Sequence, residues 1–191
     1  YYQSKIMPMV AHASLSRPLT KEEQAAYAVE RPWGVTPANA FVSITMRYTN
    51  DRRILIREGI DYCPGQKVTE AQRLALAKRH KRLFDDRFPM LPNVEMEHTW
   101  SGFVGMARNG SPGFGQAAPN IWTAVCQNAV GVTKGTAAGM LAADMACGID
   151  NPLIDDMHSL GTPNAFPPRP FMDIGVRAKL TWTRLTNRHE Q

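Results

Sequence analysis

The stretch Asn128-Ala129-Val130-Gly131-Val132-Thr133-Lys134-Gly135-Thr136-Ala137-Ala138-Gly139-Met140-Leu141 decides how this chain is read, because it predicts a strand, a glycine-bearing loop and a helix start in succession. Residues 121–126 predict a buried strand, 127–134 the loop, and 135–147 an apolar helix that Gly148 ends. Free backbone N–H groups and the helix dipole favour partial negative charge at such a helix start. Gly135, Gly139 and Ala143 fall at i, i+4 and i+8, a small-residue face that admits close packing. On the residues alone, a sheet and a cofactor fit that face equally.

Upstream, residues 6–15 predict an apolar strand, and Thr20-Lys21-Glu22-Glu23 is a capping box that opens a short helix to about residue 29. Pro32-Trp33-Gly34 and Pro37 break it. In the next run Phe41, Ser43, Thr45 and Arg47 alternate against Val42, Ile44, Met46 and Tyr48. With the turn Thr49-Asn50-Asp51-Arg52 and the run 53–57, that period of two predicts a β-hairpin. A second capping box, Thr69-Glu70-Ala71-Gln72, opens a helix that Pro89 stops, and a strand is expected over 94–104. The turn-rich run Asn109-Gly110-Ser111-Pro112-Gly113-Phe114-Gly115 follows, then the stretch first quoted. A Pro-rich linker over 152–170 precedes a final helix over about 171–187.

The 191 residues suffice for one full domain or two small ones, and 43% hydrophobic with 20% charged residues excludes wholesale disorder. The 14 Gly and 14 Pro imply many turns. A net charge of +5 favours anionic partners without selecting one. Cys63, Cys126 and Cys147 are far apart and form no CxxC pair, so neither a zinc site nor a redox pair is expected. The first residues lack a signal-peptide pattern, and the apolar run 135–147 is too short for a bilayer, so a soluble cytoplasmic protein is expected.

Lys78-Arg79-His80-Lys81-Arg82 is the one nucleic-acid candidate. Asp85 and Asp86 stand four residues after Lys81 and Arg82, and no aromatics interleave, so the run reads as a solvated helix face with His80 packed inward. Gly113-Phe114-Gly115-Gln116-Ala117-Ala118 fits the GxGxxA dinucleotide pattern in letters only. Pro112 precedes it and Pro119-Asn120 follows, leaving no helix to hold a pyrophosphate, so it is read as a loop and not a nucleotide site.

The ordered set Trp100-Ser101-Gly102-Phe103, the run 109–115 and residues 128–148 resembles the C-terminal part of the D-amino-acid-oxidase-like FAD-dependent oxidoreductases. Within them it is most similar to the branch containing gamma-glutamylputrescine oxidoreductases. Pro18-Leu19-Thr20, Trp33-Gly34, Arg47-Tyr48-Thr49 with Asp51, and Arg53-Ile54-Leu55-Ile56-Arg57 also resemble that branch. The resemblance implies that Gly131, Val132, Thr133, Lys134 and Gly135 lie beside the flavin N1/C2 carbonyl. Backbone N–H groups there would stabilise the negative charge that arrives with hydride. Lys134 reads two ways, as a charge beside flavin or substrate and as a first-turn surface lysine. Val130 stands where the family often has a loop histidine, which leaves only the backbone role. Arg47, Tyr48 and Trp100 are the candidates to line a substrate pocket, although alternation lets at most one of Arg47 and Tyr48 face it. Arg52, Arg53 and Arg57 read as hairpin surface charges, with carboxylate binding the lesser option.

The expected fold is therefore α+β. Residues 1–115 would form a β-rich substrate domain with packed helices, 116–150 the closing strand–loop–helix of an FAD-binding domain, and 151–191 a linker and C-terminal helix. The resemblance implies oxidation of a small-molecule amine or amino acid by hydride transfer to FAD, giving an imine. The dinucleotide fingerprint of the family is absent, so the chain reads as a fragment lacking the N-terminal FAD-binding region, inactive alone, with Tyr1 internal to a longer polypeptide. The alternative is a non-catalytic domain that binds anionic partners such as nucleic acid through a basic helix face.

Overall fold

A computed structural model describes residues 1–36, 41 and 43–187; Pro37 and Val42, used above, lie outside them. The fold is mixed α and β, as expected. The chain divides into two compact units, Tyr1–Met9 with Phe103–Val176, and Val10–Gly102 with Arg177–Gln191.

The second unit contains most of a five-stranded sheet in the order β2-β3-β4-β1-β5, where β1 is Met7–Ser16, β2 Trp33–Val35, β3 Ile44–Tyr48, β4 Ile54–Tyr62 and β5 Met96–Met106. The predicted hairpin is β3 against β4, antiparallel, with Thr45 opposite Arg57 and Arg47 opposite Leu55. Its turn closes through Thr49 and Arg53, with Arg52 in the left-handed region at φ 63°. β4 runs five residues past the expected end. Gly59, at φ 52°, carries it through an irregularity that alternation could not show.

Helix α1 (Lys21–Tyr27) and helix α2 (Glu70–Arg87) both start at the capping boxes read from the sequence, with reciprocal bonds in each. Phe84 and Phe88 pack with Met46, Tyr48, Ile54 and Ile56 to form the core, so α2 covers the sheet face carrying those residues. His80 is fully buried there, as expected.

The first unit contains the hairpin β6 (Gly113–Ala118) and β7 (Ile121–Val125), helix α3 (Thr136–Cys147) and helix α4 (Leu153–Ser159). Phe114, Ala138, Leu141 and Met157 form its core. Two sequence expectations are corrected here. Gly113-Phe114-Gly115 is strand and not loop, although no helix follows it, so its rejection as a pyrophosphate turn keeps its reason. The stretch 152–170 contains α4, whose Met157 joins the core; the surrounding prolines hid a short helix. Helix α5 (Phe171–Thr186) closes the described chain.

Candidate functional site

Residues 126–136 are shaped by backbone that leaves β7 abruptly. Cys126, Asn128 and Ala129 have φ of 58°, 52° and 67°, a costly arrangement for residues with a Cβ. Asn128 ties it down: its Oδ1 accepts from the Ala107 N–H at 2.8 Å, and its Nδ2 donates to the carbonyls of Gly110 at 2.8 Å and Cys126 at 2.7 Å. The chain then makes a π-helical turn, Gly131–Gly135, that runs into α3. Gly131, Val132 and Thr133 sit at the start of that turn, where N–H groups have no intrahelical acceptor. All three are exposed, Val132 at 87%. Lys134 and Gly135 are partly buried, and Lys134 has no ion pair among the described residues.

Helix α3 meets its own unit's core with Ala138 and Leu141, and leaves Gly139 and Ala143 exposed. No atom lies within 4 Å of where a Gly139 Cβ would be. The small-residue face is thus not the one packed in the core. Beside it, Gln127 lies with its Cγ 3.5 Å from the Cβ position of Gly135, and both of its carboxamide heteroatoms are buried without a hydrogen-bond partner. Two unmet polar atoms of this kind are costly unless something pairs with them.

In the second unit, the sheet face turned away from α2 is a separate feature. Ser14 bonds His80 of α2 and also Thr99, and His12 bonds Ser101, so Thr99 and Ser101 point to the helix side. By alternation Trp100 points to the opposite face, where it is 43% exposed. Tyr48 belongs to the α2-side core at 1% exposure, edge-on to Tyr27, and Arg47 takes the other face. The structure therefore puts Arg47 and Trp100 on one face and Tyr48 on the other.

Arg57 shares the face of Arg47, since its register partner is Thr45. Its Nε and Nη2 donate to Thr45 Oγ1 at 3.3 and 2.9 Å, and its Nη1 donates to the Gly59 carbonyl at 3.2 Å. No described carboxylate pairs with it, and burial pushes its guanidinium below the ordinary value. The other two hairpin arginines are engaged elsewhere: Arg53 pairs with Asp51 and Glu97, and Arg52 donates to the Glu30 carbonyl.

A cleft of about 410 Å³ opens on the α2 side of this unit, lined by His12, Asp61, Cys63, Lys67 and Arg79 among others. Its principal charges are already paired, Arg79 with Glu58 and Asp61 with Arg184, while His12 lies 3.7 Å from Asp61. Burial lowers the His12 pKa, and Asp61 opposes that. In the basic run on α2, Lys81 pairs with Asp85 and Arg79 with Glu58, while Lys78 and Arg82 have no ion pair among the described residues. No group of residues suited to a metal ion and no helix long and apolar enough to cross a membrane occurs among the described residues.

A family model described as FAD dependent oxidoreductase (DAO) matches residues 2–145, well over half of the chain. The chain belongs to this family. Among curated relatives it is 26% identical over 102 residues to the Probable oxidoreductase OrdL of Haemophilus influenzae, covering 53% of this chain and 23% of the relative. The fold is also that of solved oxidase and dehydrogenase structures. Glycine oxidase from Geobacillus kaustophilus aligns at TM-score 0.52 and 18% identity, over 77% of this chain and 36% of that one. Iminodiacetate oxidase from Chelativorans sp. BNC1 aligns at 0.53 and 19%, over 88% and 40%. L-proline dehydrogenase from P. horikoshii aligns at 0.51 and 17%, over 80% and 39%. The chain thus spans between 23% and 40% of the length of these relatives.

The family's cofactor is FAD, and the residues present fit it. Exposed N–H groups at Gly131, Val132 and Thr133, an open small-residue face at Gly139 and Ala143, and the unpartnered Gln127 carboxamide together suit a flat, polar-edged ring. Sequence reasoning named the turn, held carboxylate binding by Arg57 as the lesser option, and missed Asn128 and Gln127. Asn is a turn former and was a usable signal for Asn128. Counting the hairpin register back from Thr49 would have put Arg57 opposite Thr45.

Proposed function

We propose that this chain serves as the substrate-domain and closing strand–loop–helix portion of a flavin-dependent oxidoreductase that oxidises an amine or amino acid. The observation that carries this reading is the exposed start of the turn, Gly131–Thr133, with its free N–H groups, in a chain whose family is FAD dependent. The names of the structural neighbours, oxidases and a dehydrogenase of small amino acids, support the substrate class. The finer kinship with gamma-glutamylputrescine oxidoreductases rests on the ordered residues quoted above. FAD, when bound, supplies the acceptor for hydride from a C–H beside nitrogen.

The chain's own residues have distinct tasks in this proposal. The N–H groups of Gly131, Val132 and Thr133 stabilise negative charge at the pyrimidine edge of the ring, and Asn128 holds the loop that presents them. Lys134 adds positive charge next to that edge. Arg47 and Trp100 line the substrate side, Arg47 by charge and Trp100 by apolar area, while Tyr48 supports the sheet from behind. Neither role needs an acid–base pair on this chain.

The protein acts with a further region that holds the rest of FAD, and this chain alone holds flavin weakly. The basic-face alternative is not favoured, since Arg79 and Lys81 of that face are already paired with carboxylates. Anaerobic mixing of the full-length cellular protein with a panel of small amines and amino acids tests the reading. Bleaching of visible flavin absorbance by at least one of them is expected. Stoichiometric flavin on the isolated 191 residues, or no bleaching by any amine, would overturn it.

A further inference from the structure

Two guanidinium groups, Arg47 exposed and Arg57 half-buried, stand on the sheet face turned away from α2, with no described carboxylate to answer either. Arg47 and Arg57 are diagonal across β3 and β4, because Arg57 faces Thr45 and Arg47 lies two residues beyond Thr45. Diagonal positions of this kind are roughly 7–8 Å apart. Arg57 leans from β4 toward Thr45 on β3, and the Arg47 stem leans from β3 over Gly34 on β2, 3.4 Å from that glycine's Cβ position. Both therefore lean the same way across the sheet, and their separation is kept.

The hydrogen inventory of Arg57 points outward. Nη1 makes one bond to the Gly59 carbonyl and Nη2 makes one to Thr45 Oγ1, so each terminal nitrogen keeps a hydrogen for another acceptor. Thr45 and Gly59 fix the plane of the fork. A carboxylate is the ligand that takes two parallel N–H bonds from such a fork. Arg47 is exposed and has no ion pair among the described residues, and like charges on neighbouring strands repel unless an anion lies between them.

We propose that Arg47 and Arg57 form an anion subsite that takes a dicarboxylate, one carboxylate on each guanidinium, so that the amine substrate carries two carboxylates. As an assignment of substrate class this rests on the amine-oxidation reading. The binding claim stands apart from it, because a dicarboxylate without nitrogen occupies the same two forks.

Titration of the full chain with glutarate and with pentanoate, followed by amide chemical shifts, tests the subsite. Glutarate is expected to bind at least tenfold more tightly than pentanoate and to shift amides of β3 and β4. Arg57→Gln and Arg47→Gln should each bring glutarate down to the pentanoate level. Arg57→Lys, which keeps the charge and loses the fork, should retain an intermediate affinity. Arg47 is exposed, so Arg47→Gln keeps the test valid if the Arg57 variants fold poorly. Equal affinity for the two acids, or an Arg47→Gln protein that binds glutarate as the parent does, would sink the proposal. Glutarate has no C–H beside nitrogen, so a positive titration with no amine bleaching would condemn the function and spare the subsite.

Discussion

His80 Nδ1 lies 2.7 Å from Ser14 Oγ, joining helix α2 to strand β1 across 66 positions of sequence. The Ser14 hydroxyl also meets Thr99 Oγ1 at 2.8 Å, so three side chains from three elements share one buried bond chain. His80 Nε2 has no partner, and His12 and Arg79 add to the cost of charging the ring.

That burial makes stability depend on pH in a definite direction. The His80 pKa falls from 6.5 to about 4, chiefly through burial. The unfolded chain therefore takes up the proton first. Stability from this group is complete above pH 6.5 and is lost as pH falls toward 4, amounting to about 3 kcal/mol. Urea unfolding at pH 7 and near pH 4 should show the loss, and His80→Leu should flatten the slope between them. An unchanged slope in His80→Leu would contradict the assignment.

Tyr48 carries a hydroxyl that the fold leaves unbonded at 1% exposure. Tyr48→Phe removes that unmet group and keeps the ring against Tyr27, so it should be neutral or raise stability by up to about 1 kcal/mol. Tyr48→Ala should cost about 3–5 kcal/mol through the cavity it opens. Chemical denaturation of both variants distinguishes a core role from a substrate role.

Gly113 has its place through packing. A Cβ there would come 2.7 Å from Val125 Cγ2 and 2.8 Å from the Tyr2 ring. Gly113→Ala should therefore lower stability by about 1–3 kcal/mol. The loss should be the same with and without an added dinucleotide, which a thermal shift assay can compare.

Ala129 sits at φ 67° immediately before the turn that presents the free N–H groups. Glycine adopts that conformation without the Cβ penalty, so Ala129→Gly should stabilise the chain by roughly 1 kcal/mol. Asn128→Ala removes three hydrogen bonds from the same loop and should destabilise it by about 1–3 kcal/mol. A melting curve of each variant gives the sign directly.

Thr69 caps α2 through the Gln72 N–H, while Gln72 Oε1 accepts from the Thr69 N–H at 2.8 Å. Thr69→Ala should cost about 1 kcal/mol, read as a lower urea midpoint with an unchanged slope.

Local interactions were legible without coordinates. Both capping boxes, the β3–β4 hairpin and the core position of His80 follow from patterns a few residues long, because caps, turns and alternation act between near neighbours. Helix α4 and strand β6 were missed, since Pro and Gly around them weaken the local signal and contacts to the unit's core supply the stability instead.

The sequence by itself determined that this is an α+β chain with a glycine-bearing turn at residues 131–135 and the lettering of one oxidoreductase family. Tertiary structure alone decided which groups are satisfied. It buried the Gln127 carboxamide without partners, paired Arg79 and Lys81 of α2, and left Arg57 with Thr45 in place of a carboxylate. The physical reason is that desolvation and pairing are set by atoms distant in sequence. Composition counts an arginine, and only the packed chain shows whether its charge has been answered.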